Sequence, residues 1–168
     1  MTFDIKPLLR GEVDSINIDY MLPVELQGVR FLEEASAKGE ITDKAGYMRL
    51  TLKLSVPYAT ECARCLDEVR GVFEEDFERT VVTKGSVSDE ILDENFDEYA
   101  VLNENGELNV DEEIAETIVL MFPKKILCSE DCEGLCPVCG KPKRDGDCGC
   151  VVKEIDPRLA ILKKLLDK

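Results

Sequence analysis

The sequence predicts an α+β protein: a mainly antiparallel β body with one or two helices, then a C-terminal Cys-rich segment and a closing helix. Three observations carry that prediction. Met48 to Val56 alternates, with Leu50, Leu52, Leu54 and Val56 on one face and Arg49, Thr51, Lys53 and Ser55 on the other, the period of a half-buried strand. Two short windows, near residues 109–121 and 156–166, read as helices. Six of the eight cysteines lie between Cys128 and Cys150.

Gln27 to Thr42 reads as a strand pair turning near Lys38 and Gly39. Pro57, which cannot donate to a ladder, should end the Met48–Val56 strand or place it at an edge. Val69 to Val82 fits period 4 and alternation alike through Val69, Phe73, Phe77 and Val81; Gly71 and the Val81-Val82 pair favour a strand. Residues 84–107, acidic and rich in turn formers, read as a long loop with a turn at Asn105-Gly106. Asn109 stands three residues before Glu112, a capping-box-like helix start. Ile114, Ile118 and Met121 share a helical face, and Pro123 stops the helix. Asp156-Pro157 reads as an N-cap followed by an N1 proline. Leu159, Leu162, Leu165 and Leu166 line one face of that closing helix. Lys163 and Lys164 lie in its last turns, where cations suit the dipole, and read equally as a solvated face.

With 168 residues, 44% hydrophobic, the chain can bury one domain core plus a small appendage. No repeat of 20–50 residues is visible, so a solenoid is not expected. The charge is uneven. Residues 1–122 hold 11 basic and 28 acidic residues, a net of −17; residues 123–168 hold 10 and 8, a net of +2. The division expected is an acidic, mainly β body over 1–122 and a Cys-rich, metal-binding segment with the C-terminal helix over 123–168. There is no signal-peptide pattern, and the longest apolar run, Ile118 to Phe122, is far short of the ~18 residues of a membrane span. A soluble, cytoplasmic protein is therefore expected, and in a reducing cytosol paired cysteines point to metal before disulfides.

The chain has no His, which excludes a Ser-His-Asp triad, a Cys-His dyad and any imidazole ligand or base. A transition metal must be held by thiolate or carboxylate. Cys136-Pro-Val-Cys139-Gly140 supplies one edge of a tetrahedron on a tight turn, its proline fixing one φ and its glycine permitting a positive one. The eight residues before Cys148 can close a small hairpin that brings Cys148 and Cys150 opposite. Cys136, Cys139, Cys148 and Cys150 thus form a first site of zinc-knuckle or ribbon type; iron in a rubredoxin-like site is the alternative. Four plus four leaves Cys62, Cys65, Cys128 and Cys132 as a second zinc site tying the segment to the body. Cys62 and Cys65 also read as buried free thiols or a redox pair, although no βαβ context surrounds them. Cys128 and Cys132 also read as alternative ligands of the first site.

Leu54 to Leu66, with Cys62-Ala-Arg-Cys65-Leu66, resembles the C-x-R-C-L signature of the YceD-like proteins, the large ribosomal RNA subunit accumulation family. Cys128-Ser-Glu-Asp-Cys132-Glu-Gly-Leu-Cys136-Pro-Val-Cys139-Gly140 with Cys148-Gly-Cys150 is similar to the Cys-rich tail of its Gram-positive-type members. Asp156 to Leu165 resembles the family's closing helix. The matches run in order from about residue 48 to the end. Where the family often has a run of the Asn-Leu-Asn type, this chain has Lys141 to Asp145. The resemblance implies a part in accumulation or assembly of the large-subunit ribosomal RNA. Family genes often sit beside that of a small zinc-binding protein of the large subunit. Some members lack the Cys136–Cys150 tail yet keep C-x-R-C and a His or Cys pair near Cys128 and Cys132, which supports pairing those four cysteines.

The function expected is a non-enzymatic, zinc-binding accessory factor in large-subunit assembly, because no Walker loop, nucleophile–base pair or open metal position is visible. An acidic body repels phosphate and suits a basic ribosomal protein or an assembly intermediate carrying one. Direct rRNA contact should be weak and fall to Lys124, Lys125, Lys141, Lys143 and Arg144, which read also as solvated turn residues. The alternatives are a cytosolic thiol oxidoreductase using Cys62 and Cys65, and a generic acidic interaction module. Oligomeric state stays open.

Overall fold

The computed structural model describes residues 1–44, 46–95 and 97–150. The closing helix expected over 156–166 lies outside them. The body is a β sheet closed on one face by helices. Its strands are β2 (Ser15–Leu22), β3 (Val29–Phe31), β4 (Ala35–Lys44), β5 (Tyr47–Glu61), β6 (Glu68–Thr83) and β7 (Tyr99–Leu102). They run in the order β2-β4-β5-β6-β7, with β3 beside β5; every pair is antiparallel except β6 with β7. A two-stranded sheet joins β1 (Thr2–Asp4) to β8 (Glu107–Asn109). The helices are α1 (Lys6–Leu9), α2 (Asp89–Glu94) and α3 (Val110–Met121). The fold is thus the expected α+β, with three helices among the described residues.

The alternation of β5 sets the core. Met48, Leu50, Leu52, Leu54 and Val56 are buried, joined by Ala35, Ala37 and Ile41 of β4 and by Ile114 and Ile118 of α3. Phe122 seals the lower end, its ring centroid 5.0 Å from Tyr58 and 5.3 Å from Phe73. Arg79 of β6 is buried and pairs with Glu113 of α3, and donates to Thr117 Oγ1 at 3.1 Å. Burial pushes the Glu113 carboxyl up to about 7 against the pull of Arg79.

Four expectations are corrected. No turn forms at Lys38-Gly39; both lie mid-strand in β4, paired to β2 and β5 alike. Gly39 is there because a Cβ would fall on the Thr51 carbonyl oxygen of the next strand. Pro57 does not end its strand. Its carbonyl accepts the Leu32 N–H at 2.9 Å, so its nitrogen faces the break between β3 and β4, where no ladder donor is needed. Residues 84–107 are not one long loop: they contain α2 and β7, although the turn at Asn105-Gly106 is present, with Gly106 at φ 74°. Met121 is 53% exposed, and Phe122, past the helix end, takes the buried place. At the other end Asn109 is the N-cap, but its side chain donates to Glu112 Oε2 at 3.1 Å instead of to the backbone.

Candidate metal centres

Between β5 and β6 the chain curls into a knuckle at Cys62–Asp67. The Leu66 N–H donates to the Cys62 carbonyl at 3.0 Å, and the Cys62 N–H donates to the Asp67 carbonyl at 2.8 Å. Closing so tight a curl puts Leu66 at φ 63°, a region unfavourable to any residue with a Cβ. After α3 the chain returns along this knuckle: the Ala63 N–H donates to the Ile126 carbonyl at 2.9 Å. That contact sets Cys128 and Cys132 against the first pair.

The Sγ atoms of Cys62 and Cys132 are 3.8 Å apart and those of Cys65 and Cys128 are 3.5 Å apart. Four sulfurs at ~2.3 Å from one tetrahedral ion have edges of about 3.8 Å. All four Sγ lie within 4.8 Å of one another, with Cys62, Cys65 and Cys132 buried and Cys128 exposed. Arg64, the third residue of the knuckle, acts as a clamp. Its guanidinium donates to the Cys132 carbonyl at 2.7 Å and the Glu130 carbonyl at 3.4 Å, while its own carbonyl accepts the Leu135 N–H at 3.2 Å. Gly134, at φ 77°, allows this approach, since a Cβ there would lie 3.0 Å from the Arg64 carbonyl oxygen. Neither Gly134 nor Asp67 was singled out from the sequence; Gly134 sits midway between two cysteines, which was the available signal.

The second cluster repeats the knuckle. The Gly140 N–H donates to the Cys136 carbonyl at 2.9 Å, the Cys136 N–H donates to the Lys141 carbonyl at 2.8 Å, and Gly140 takes φ 73°. Cys136, Cys139, Cys148 and Cys150 again bring their Sγ within 4.8 Å of one another, but Cys139 is exposed and Cys148 and Cys150 are half-buried. In place of a regular hairpin, one bridge (Leu135 with Pro142) and a 3-10 turn at Lys143–Asp145 close the segment.

Backbone dipoles prepare both clusters for negative charge. Burial pushes the Cys62 thiol up, but the N–H groups of Arg64, Cys65 and Cys128 outweigh it and bring it to about 6. The N–H groups of Cys139 and Val138 hold Cys136 at about 6. Other members of the clusters resist ionising: Cys139 and Cys148 push Cys150 up to about 12, and burial raises Cys132. A divalent cation removes that conflict, because it lets four thiolates share one charge centre. The donor sets therefore fit a metal ion, and each cluster can hold one.

An ion pair fastens the second cluster to the first. Arg144 forks onto Asp67, its Nη2 at 3.2 Å from Oδ1. While Cys65 keeps its proton, Asp67 also accepts from its Sγ at 3.1 Å, and this thiol and Arg144 hold the carboxyl below the usual range; as a metal ligand Cys65 has no proton to give, and Arg144 alone remains. Arg144, expected as a free cation, is thus engaged within the chain. Lys124, Lys125, Lys141 and Lys143 are exposed.

All eight cysteines, in their chain order, fall inside one family match: the profile described as large ribosomal RNA subunit accumulation protein YceD covers residues 50–166. The chain belongs to the YceD family. Similar curated proteins are an uncharacterized protein of Mycobacterium bovis and two of Mycobacterium tuberculosis. Each is 34% identical over 118 residues, which is 70% of this chain and 55% of theirs. The chain thus spans about half the length of these relatives, 55% by the aligned part. No solved structure gives a significant match. Among the described residues, no helix is long and apolar enough to cross a membrane.

Proposed function

We propose that this YceD-family chain is a non-enzymatic accessory factor in accumulation of the large-subunit ribosomal RNA, working in the cytoplasm with zinc in both clusters. The observation that carries the reading is the family match over a segment whose eight cysteines form two four-sulfur clusters. Four-thiolate sites leave no open position for a substrate, and zinc in such sites contributes folding energy. In each site Cys62, Cys65, Cys128 and Cys132, or Cys136, Cys139, Cys148 and Cys150, would be the ligands. The metal-binding unit would be residues 123–168, borrowing Cys62 and Cys65 from the acidic body.

The partner in this reading is a basic ribosomal protein, alone or on an assembly intermediate. A net of −17 on residues 1–122 attracts it and repels phosphate. Direct RNA contact would be weak and confined to Lys124, Lys125, Lys141 and Lys143. A thiol oxidoreductase would need Cys62 within reach of another protein's thiol, whereas it is fully buried.

Depleting the chain in its own cell and measuring the ratio of large- to small-subunit rRNA tests the proposal. The ratio should fall and be restored by the native chain but not by Cys62→Ser. An unchanged ratio overturns it.

A further inference from the structure

The buried side of α3 alone suffices to hold it. Ile114 and Ile118 are in the core, Arg79 grips Glu113 and Thr117, and the Tyr20 hydroxyl donates to Asp111 at 2.6 Å. The outward side is thereby released from packing, and such a side is normally polar along its length. Here it is polar only at the start. Glu112, Ala115 and Glu116 occupy the first two turns, with Glu116 also reaching Arg79 at 3.3 Å. The last turn exposes Val119 (60%) and Leu120 (41%) on this side, while Met121 (53%) is exposed on the side of Ile114 and Ile118. The charge along the helix is graded: Asp111, Glu112, Glu113 and Glu116 lie in its first two turns, and Lys124 and Lys125 follow just past its end.

We infer that the outward face of α3 docks a Lys/Arg-rich amphipathic segment of a partner protein, its apolar side on Val119 and Leu120 and its cations over Glu112 and Glu116. Charge complementarity selects this occupant. A nucleic acid would set phosphate against Glu112 and Glu116, and an acidic segment would meet the same repulsion. Lys124 and Lys125 fix the direction, since cations at the apolar end would face them. Aliphatic anchors ringed by charge are the pattern of a specific patch, in which the apolar centre supplies affinity and the rim supplies orientation. The inference rests on the proposed ribosomal role and deepens it by naming the surface that a basic partner meets.

The test is in-cell photo-cross-linking of the full chain with p-benzoylphenylalanine in place of Leu120, and in a second strain in place of Thr51, on the solvent side of β5. Cross-links from position 120 to a segment rich in Lys and Arg support the inference. Cross-links from 120 to residues 151–168 of the same chain, to rRNA or to an acidic segment overturn it. A basic ribosomal protein caught at position 51 and not at 120 also overturns it while leaving the proposed function intact. No product from either position overturns this surface, and an unchanged rRNA ratio on depletion overturns the function separately. A Val119→Lys/Leu120→Lys chain should keep its unfolding temperature and lose at least about tenfold in co-sedimentation with large-subunit precursors. Retained co-sedimentation in that variant overturns the inference.

Discussion

The two cysteine clusters share a backbone design and differ in what they hold together. Each knuckle closes with the same pair of hydrogen bonds and a left-handed residue just after its second cysteine. The first cluster joins Cys62 to Cys132, 70 positions apart, across the buried junction of β5, β6 and the segment after α3. The second joins Cys136 to Cys150 within one surface segment. Identical local chemistry thus performs two different tasks. Closing a loop between distant residues removes more freedom from the unfolded chain than closing a short one, and a buried site has more packing to lose.

The sharpest way to break the comparison is to remove one ligand from each cluster. Cys62→Ser should lower the unfolding midpoint by ~10 °C or more, or prevent folding of the body. Cys136→Ser should leave the body's midpoint within ~3 °C and disorder only its own segment, seen as local loss of hydrogen-exchange protection. Equal losses in both variants would show that the two clusters have the same structural weight.

Metal content and thiol reactivity give the next largest effect. The native chain should carry two equivalents of zinc, measured by elemental analysis. Under a chelator with a thiol reagent, four thiols should react well before the other four, because Cys139 is exposed and Cys148 and Cys150 half-buried, whereas three ligands of the first cluster are buried. Iron, or a single phase of eight thiols, would go against this assignment.

How much of this was legible in the sequence divides along the same line. Local features were readable. The Met48–Val56 alternation gave β5, Asn105-Gly106 gave its turn, and Cys136-Pro-Val-Cys139-Gly140 gave a knuckle from turn chemistry alone. Features decided by neighbours were not. Gly39 reads as a turn signal, yet it is required by the close approach of β5. Pro57 reads as a strand breaker, and only the position of Leu32 shows that its missing N–H is harmless. Arg144 reads as a solvated cation until Asp67, 77 residues away, is brought to it. The alternation of Ile16, Ile18, Tyr20 and Leu22 is itself the signature of β2, with Ile18 and Leu22 buried.

The two arginines that lock the clusters sharpen the comparison further. Arg64→Ala removes donors to two carbonyls beside the first cluster and should cost about 1–2 kcal/mol in chemical denaturation. Arg144→Ala breaks an exposed ion pair and should move the midpoint by no more than ~2 °C. Its effect should depend on pH in one direction. Asp67 is held below its ordinary range in the folded chain, so its contribution is present above the unfolded carboxylate pKa and is lost as pH falls through the folded value. The difference between native and Arg144→Ala chains should therefore shrink in acid. A difference that grows in acid would mean that Asp67 is not the partner that matters.

The smallest effect separates the knuckles by a single residue. Leu66 and Gly140 occupy the same left-handed position, at φ 63° and 73°. Glycine adopts that conformation freely, whereas a leucine there is strained by roughly 1–2 kcal/mol. Leu66 recovers little of this by burial, being 59% exposed. Leu66→Gly should relieve the strain, and the greater freedom of glycine in the unfolded chain should cancel part of the gain. The net expected is a stabilisation of about 0.5 kcal/mol, read from denaturant midpoints. Gly140→Ala should have the opposite sign and cost about 1 kcal/mol locally, because it introduces the same strain with no entropy argument strong enough to offset it. A strained, exposed, apolar residue in a place where glycine fits better is the kind of outlier that function retains. The informative result is therefore a Leu66→Gly chain that is more stable yet restores the large- to small-subunit rRNA ratio less well. A loss of stability on Leu66→Gly would instead show that its partly buried side chain outweighs the strain, and the contrast between the two knuckles would then be one of packing.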